Sequence, residues 1–265
     1  MLINILFINL WNSPALIKFH GVYQAEQKIH EGSIPRFGGL AILISILSIN
    51  YFDLFSDYEI EYLNHILICL SPLIFVTFLE DVYNNILPQA RLFFIFFSAA
   101  VLLTTSGFTL PVIDVPIVAG FFEQYPAALI IFLTIAIAAM VNAFNLIDGA
   151  NGLLLFSFMS ILGCLIMMAG FVNDGYFTKL CQVFLGILII QLPFNFPKAM
   201  IFAGDLGAYM FGFILALLVI IFFGRHPEFL TWQAILILFY PAFELLFTVI
   251  RRARRNKNPM QADRL

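Results

Sequence analysis

Charged side chains are scarce in this sequence. Only 11% of its 265 residues are Asp, Glu, Lys or Arg, whereas 62% are hydrophobic and the mean hydropathy is +0.98. A water-soluble domain of this length cannot bury so much apolar surface, because its outer face has to be polar. The composition therefore excludes a soluble globular protein and predicts that lipid surrounds most of the chain.

Cysteine and polar linkers are also rare. Cys69, Cys164 and Cys181 lie inside apolar runs without metal-binding or paired spacing, which argues against a disulfide framework or a zinc ribbon. The N-terminus lacks both a basic segment and a small-residue cleavage site, so we expect it to remain as a first membrane span. No long polar stretch divides the sequence, and we expect one integral membrane domain over residues 1–265.

Apolar runs separated by short polar segments predict an all-α fold, a polytopic membrane bundle of about nine transmembrane helices. Several of the runs are shorter than the roughly 20 residues that cross a bilayer. The nine runs lie near residues 1–17, 37–52, 65–79, 92–106, 126–141, 153–172, 179–193, 207–223 and 232–250.

Basic residues alternate between the two sides of this nine-span arrangement very unevenly. With the N-terminus outside, one side receives only Lys179 and Arg225. Positive charge favours the cytoplasmic side, so the other side, with the C-terminus, is predicted to be cytoplasmic. It receives the remaining eleven of the 13 basic residues: Lys18, Lys28, Arg36, Arg91, Lys198, Arg251, Arg252, Arg254, Arg255, Lys257 and Arg264.

A regularly spaced polar stretch, VNAFNLIDGANGL at residues 141–153, follows the fifth run on the predicted cytoplasmic side. Asn142, Asn145, Asp148 and Asn151 are each three residues apart, so the first three would line one stripe of an α-helix. Gly149 then permits a turn or a close backbone approach. The alternative is an ordinary helix end with polar residues facing lipid headgroups.

A basic segment on the same side, QKIHEGSIPRFGGLAI at residues 27–42, precedes the second apolar run. It places Lys28, His30 and Arg36 before a Gly–Gly pair at a helix start, a combination that suits a phosphate group. Basic residues here also satisfy the positive-inside rule, so topology alone could explain them.

Two acidic positions complete this side. Glu80 and Asp81 stand at the end of the third run, where adjacent carboxylates favour a metal ion, a proton or simple solvation. Asp205 stands between Gly204 and Gly207 at the start of the eighth run, where it could be a helix cap or a ligand-binding group.

The four polar clusters together indicate phosphoryl transfer at a membrane surface. Carboxylate and amide oxygens are ligands of Mg²⁺, which usually shares its coordination with substrate phosphates, and nearby cations would neutralise phosphate oxygens. One substrate could be a lipid and the other a soluble nucleotide. A secondary transporter is the rival interpretation, with Glu244 as its strongest mid-span ionisable group.

The same clusters carry a family resemblance. The strings KIHEGSIPRFGG, LEDVYNN, NAFNLIDGANGL, FAGDLGAYMFGF and RHPE occur in this order. They resemble the polyprenyl-phosphate N-acetylhexosamine-1-phosphate transferases of glycosyltransferase family 4, relatives of phospho-N-acetylmuramoyl-pentapeptide transferase. The resemblance implies transfer of a sugar 1-phosphate from a UDP-sugar to undecaprenyl phosphate, with UMP released and with Mg²⁺ or Mn²⁺ as cofactor. It places such an enzyme in the bacterial inner membrane, initiating cell-envelope glycan synthesis such as that of cell wall or O-antigen lipopolysaccharide.

The resemblance also implies residue roles. Asn145 and Asp205 would bind the metal, Asn151 would lie near the uracil, and Asp148 would lie near the nucleotide or the metal. Asp81 would lie beside the attacking lipid phosphate as proton acceptor or orienting group. The remaining polar positions implied for the site are Glu80, which stands where the family usually has Asp, and the first-loop residues Lys28, His30 and Arg36.

Partners follow from the same reasoning. We expect UDP-sugar, polyprenyl phosphate and membrane lipid, we expect no nucleic acid, and a homodimer remains open. The basic run at residues 251–257 fits a topology anchor near anionic lipid. Family members carry a histidine-rich C-terminal motif that none of the histidines here matches. A truncated, non-catalytic relative is therefore a further alternative. The histidines are His20, His30, His65 and His226.

Overall fold

The computed structural model describes residues 1–11, 34–52 and 55–254. Lys28 and His30 lie outside these ranges. Within them the regular structure is helical, with a short 3-10 turn at Ser48–Tyr51 and no β-strand. The helices are α1 Leu2–Trp11, α2 Gly38–Leu47, α3 Asp57–Tyr83, α4 Pro88–Thr105, α5 Pro116–Gln124, α6 Pro126–Ile147, α7 Leu153–Phe171, α8 Gly175–Asn195, α9 Gly204–Arg225, α10 Gln233–Ile237 and α11 Phe239–Arg254.

Six of these helices, namely α3, α4, α6, α7, α8 and α9, are long and apolar enough to cross a membrane. This confirms the prediction of an all-α, polytopic membrane bundle. Within the described residues each of the nine predicted apolar runs overlaps a helix, but α2 has only 10 residues and the ninth run is divided between α10 and α11. The number nine and the orientation of the termini therefore stay predictions. The short helix α5 was not predicted from the sequence.

Local sequence signals set several helix ends. Proline, which needs no N–H partner in a first turn, opens α4, α5 and α6. The backbone N–H of Ser56 donates to the Glu59 carboxylate at 2.7 Å at the start of α3. That helix ends at Asn84, whose φ of 50° lies in the left-handed region. Asp174 caps α8 by accepting a hydrogen bond from the N–H of Phe177 at 2.9 Å.

Helix α9 is the centre of the bundle. Its side chains are buried on every face from Leu206 to Gly224, and it packs against α2, α3, α6 and α7. Glycines permit this close packing. A Cβ on Gly39 of α2 would lie 2.6 Å from Gly207 Cα, and one on Gly212 would lie 2.6 Å from Val141 Cα of α6. The central position of α9 therefore brings residues from several other helices together at each of its two ends.

An ion-pair cluster, here called the C-terminal cluster, lies at the end of α9. The Asp174 carboxylate accepts a hydrogen bond from Arg225 Nη2 at 2.9 Å and lies 2.9 Å from His226 Nε2. The other ring nitrogen of His226, Nδ1, lies 3.1 Å from Glu228 Oε1. Burial alone would raise the pKa of Asp174. The hydrogen bonds from Phe177 and His226 and the charge of Arg225 outweigh burial and lower it. A 22-residue helix is about 33 Å long, so this cluster is a membrane thickness away from Asp205.

Candidate active site at the start of the central helix

The Asp81 carboxylate holds the first turn of α9. Its Oδ1 accepts a hydrogen bond from the N–H of Asp205 at 2.8 Å, and its Oδ2 accepts one from the N–H of Leu206 at 2.9 Å. Helix-terminal N–H groups lack partners within their own helix, and negative charge there is stabilising. Asp81 is 4% exposed. A buried carboxylate near the end of α3 thus joins that helix to the start of α9.

Backbone pairing brings the predicted basic segment to the same place. The N–H of Phe202 donates to the carbonyl of Pro35 at 2.9 Å, and the N–H groups of Gly38 and Gly39 donate to the carbonyls of Phe202 and Ala203 at 2.9 and 2.8 Å. Arg36 therefore lies beside the start of α9.

Gly204 occupies the point where these segments meet. Its φ of 73° lies in the left-handed region, which side-chain-bearing residues rarely adopt. A Cβ there would lie 2.7 Å from Asp81 Oδ2 and would collide with the carbonyl oxygen of Arg36. Only glycine allows the three chain segments to approach this closely.

Asp148, directly after α6, lies at the same turn, where the backbone N–H of Gly204 favours the charged form of its carboxyl group. Burial raises the pKa of Asp148 to about 8; the nearby charge of Arg36 opposes this rise, and that of Asp205 adds to it. Asp81, Asp148 and Asp205, three of the predicted site residues, therefore lie around one glycine.

Arg91, in the first turn of α4, is a site residue that the sequence reasoning treated only as a topology signal. Its guanidinium forms an ion pair with Asp205, and its Nη1 lies 3.6 Å from Glu80 Oε1. The other Glu80 oxygen accepts from the N–H of Ile86 at 2.7 Å. Glu80 thus orients Arg91, which in turn neutralises Asp205. An arginine in the first turn of an apolar helix, ten residues after Asp81, was the available signal.

The asparagines of the polar stretch divide into different roles. Asn142 donates to the carbonyl of Ala138 within its own helix at 2.7 Å, which is the ordinary structural role. Asn145 is half-buried on the last turn of α6, one turn before Asp148. Asn151 donates to the carbonyl of Pro197 at 3.0 Å, beyond the end of α8. This contact holds the loop after α6 against the segment that leads into α9.

Asn195 supports that loop, and sequence reasoning did not single it out. Its Oδ1 accepts from the N–H of Gly152 at 2.6 Å, and its Nδ2 donates to the carbonyl of Ile201 at 3.1 Å. Because Asn195 is buried, loss of either bond would leave a buried polar backbone group without its partner.

The charge balance of the site suits a divalent cation. Among the described residues the four carboxyl groups outnumber the two guanidinium groups by two, and because the pKa of Asp148 is about 8, the excess negative charge near pH 7 is nearer one. No three His, Cys, Asp or Glu side chains in those residues are grouped closely enough to hold a metal ion by themselves. A cation here would need additional oxygens, such as an amide or substrate phosphates, which is the usual coordination of Mg²⁺. The charged groups are Glu80, Asp81, Asp148 and Asp205, with Arg36 and Arg91.

Three proteins named as sugar-1-phosphate transferases are similar to this chain over most of its length. The chain is 28% identical over 245 residues to the undecaprenyl-phosphate alpha-N-acetylglucosaminyl 1-phosphate transferase of Thermotoga maritima, covering 90% of this chain and 68% of that protein. It is 28% identical over 276 residues to the probable undecaprenyl-phosphate N-acetylglucosaminyl 1-phosphate transferase of Bacillus subtilis, covering 98% and 72%. It is 24% identical over 274 residues to the decaprenyl-phosphate N-acetylglucosaminephosphotransferase of Mycobacterium tuberculosis, covering 92% and 66%.

A sequence model of the family described as "Glycosyl transferase family 4" matches residues 63–223. That match extends over more than half of the chain, and it includes Asp81, Arg91, Asp148 and Asp205. The chain belongs to glycosyl transferase family 4.

Proposed function

We propose that this protein transfers N-acetylhexosamine 1-phosphate from a UDP-sugar to undecaprenyl phosphate, giving a lipid diphosphate-linked sugar and UMP. The observation that carries the proposal is the convergence of Asp81, Asp148 and Asp205 with Arg36 and Arg91 at the start of the buried central helix. The named relatives favour N-acetylglucosamine as the sugar.

The site fits a divalent cation by its excess of negative charge and by its supply of carboxylate and amide oxygens. Asp205 and Asn145, with Asp148 nearby, would hold Mg²⁺ or Mn²⁺, which would neutralise charge on the diphosphate. The two arginines would bind phosphate oxygens by charge-assisted hydrogen bonds. A phosphoryl transfer of this kind depends mainly on positioning and on charge neutralisation.

In the proposed reaction, an oxygen of the lipid phosphate attacks the β-phosphorus of the UDP-sugar in line. The bond between the β-phosphorus and the bridging oxygen breaks, and that oxygen leaves with UMP. The lipid phosphate is ionised near pH 7 and needs little help in losing a proton. Asp81, whose two oxygens already accept hydrogen bonds from α9, would therefore act mainly by holding Asp205 in place.

We further propose that the site opens at the cytoplasmic face of a bacterial inner membrane. The predicted excess of basic residues on this side supports the orientation. UDP-sugars are soluble and the polyprenyl phosphate is a lipid, so a site at the end of the helix bundle would be accessible to both. The product would enter cell-envelope glycan synthesis.

The proposal is tested with purified protein in vesicles that contain undecaprenyl phosphate, supplied with radiolabelled UDP-N-acetylglucosamine with and without Mg²⁺. We expect labelled lipid and UMP from the wild type. Asp205→Asn should lower the rate by at least about 100-fold, because a charged group at the reacting phosphates is removed. Asp174→Asn is the matched control, since this aspartate also pairs with an arginine but at the other end of α9.

Different failures point to different alternatives. Binding of UDP-sugar without any lipid-linked product would support a non-catalytic relative. Uptake of a solute into the vesicles without UMP release would support a transporter. Undiminished turnover of Asp205→Asn would remove this residue from the site, and a preference for UDP-N-acetylgalactosamine would change the assigned sugar.

A further inference from the structure

We infer that Arg91 is the counter-ion of Asp205 while the site is empty. When a divalent cation and a diphosphate bind, the Arg91 guanidinium leaves this carboxylate and binds a phosphate oxygen. This inference rests on the proposed function. It assigns to Arg91 two successive partners, whereas a structural ion pair has only one.

The first support is the position of the ion pair. Arg91 pairs with the aspartate that we propose as a metal ligand, and the two side chains are only 16% and 15% exposed. Two cations cannot occupy the same side of one carboxylate, because they repel each other strongly in a site of low dielectric constant. Occupation of Asp205 Oδ2, the oxygen that Arg91 contacts, by a metal ion therefore requires Arg91 to move.

The second support is an unused donor. Nε of Arg91 is buried and makes no hydrogen bond within the described part of the chain. A guanidinium group presents its donors as a rigid fork that matches the oxygens of a carboxylate or phosphate. The fork of Arg91 therefore still has a donor available for an acceptor that arrives with the substrate.

The third support is a second carboxylate beside Arg91. Glu80 accepts a hydrogen bond from the N–H of Ile86, and its other oxygen lies 3.6 Å from Arg91 Nη1. When Arg91 leaves Asp205, Glu80 would keep its positive charge inside the site. The Glu80–Asp81 pair thus has separate duties, since Glu80 acts on Arg91 and Asp81 acts on α9.

Binding of Mn²⁺ to purified protein in the absence of substrate tests the exchange, with electron paramagnetic resonance as the readout. Arg91→Gln removes the competing cation, so we expect Mn²⁺ to bind about 3- to 10-fold more tightly, which corresponds to loss of a partly buried ion pair. The same variant should transfer sugar phosphate at least about 10-fold more slowly, because the phosphate donor is lost.

Two further variants separate charge from shape. Arg91→Lys keeps the charge but not the fork, so Mn²⁺ affinity should stay within about 2-fold of the wild type while transfer falls about 10-fold. Arg225→Gln, which removes an arginine paired with an aspartate at the other end of α9, should change neither quantity. If Arg91→Gln does not fold, Arg91→Lys decides: transfer at the wild-type rate would overturn the second role of Arg91.

Tighter Mn²⁺ binding together with slower sugar-phosphate transfer in Arg91→Gln distinguishes this inference from a structural role of Arg91. Weaker or unchanged Mn²⁺ binding in folded Arg91→Gln would overturn it, because a structural partner of Asp205 can only help to form the site. Asp205→Asn should abolish Mn²⁺ binding, and persistence of binding would place the cation elsewhere. If the wild type binds Mn²⁺ and Arg91→Gln binds it more tightly but neither makes lipid-linked sugar, the proposed transferase function fails while the competition at Asp205 stands.

Discussion

Replacement of Gly204 by alanine should disable the site although it removes no charged group. At a φ of 73° an alanine costs about 1–2 kcal/mol relative to glycine. The new Cβ would lie 2.7 Å from Asp81 Oδ2 and would collide with the Arg36 carbonyl, so one of these neighbours has to move. If Asp81 moves, two hydrogen bonds to a charged acceptor weaken, and each is worth about 1.5–3 kcal/mol.

These contributions predict a loss of about 3–5 kcal/mol in unfolding free energy or, where the protein relaxes locally, a site in which Asp205 is displaced. The assay is thermal unfolding in detergent together with transfer of labelled sugar phosphate. Gly163→Ala is the control, since a Cβ on this helical glycine would meet nothing within 4 Å and should be neutral or stabilising by up to about 1 kcal/mol. Equal stability and turnover in the two variants would refute the close approach at Gly204.

Three further expectations follow from the packing around the site. Asn195→Ala should lower stability by about 1–3 kcal/mol and reduce turnover, measured as above, because two backbone groups of the site loops lose a buried partner. Gly39→Ala should impair folding or activity because its Cβ would meet the backbone of α9, whereas Gly186→Ala, which has open space, should not. The pKa of Asp174 is lowered, so the stability that it adds is present above its unfolded value of about 3.9 and is lost as pH falls through its folded value. The difference in Tm between wild type and Asp174→Asn should therefore be largest near pH 7 and should shrink below about pH 4.

Sequence patterns predicted the helical class and the grouping of the candidate site residues at one end of the bundle. Hydropathy locates apolar helices because a lipid environment leaves few alternatives for the backbone. The clusters around Arg36, Asp81, Asp148 and Asp205 could be grouped because the predicted topology sends all of them to one side. All four of these clusters meet at Gly204, although their members are as far apart in sequence as Arg36 and Asp205.

The partners of these residues could not be predicted in the same way. Asp205 was expected to cap a helix or bind a ligand, but Asp81, on another helix, accepts from the first N–H groups of α9. Arg91 was counted for topology because an arginine at a membrane surface and one in a site obey the same charge preference. Only the distances to Asp205 and Glu80 separate the two roles. Helix α5 was missed because its nine residues form an apolar run too short to suggest a span.

The two ends of α9 show why an ion pair alone does not mark a functional site. In the C-terminal cluster, Asp174 accepts from Phe177, Arg225 and His226 and is thereby fully satisfied. At the other end, Asp205 also pairs with an arginine, but three further carboxyl groups lie near that pair, and one buried donor of Arg91 has no partner among the described residues. A folded protein tolerates such an excess of charge where a ligand will compensate it. The excess of carboxyl groups at the start of α9, rather than the salt bridge itself, therefore distinguishes the candidate site from the C-terminal cluster.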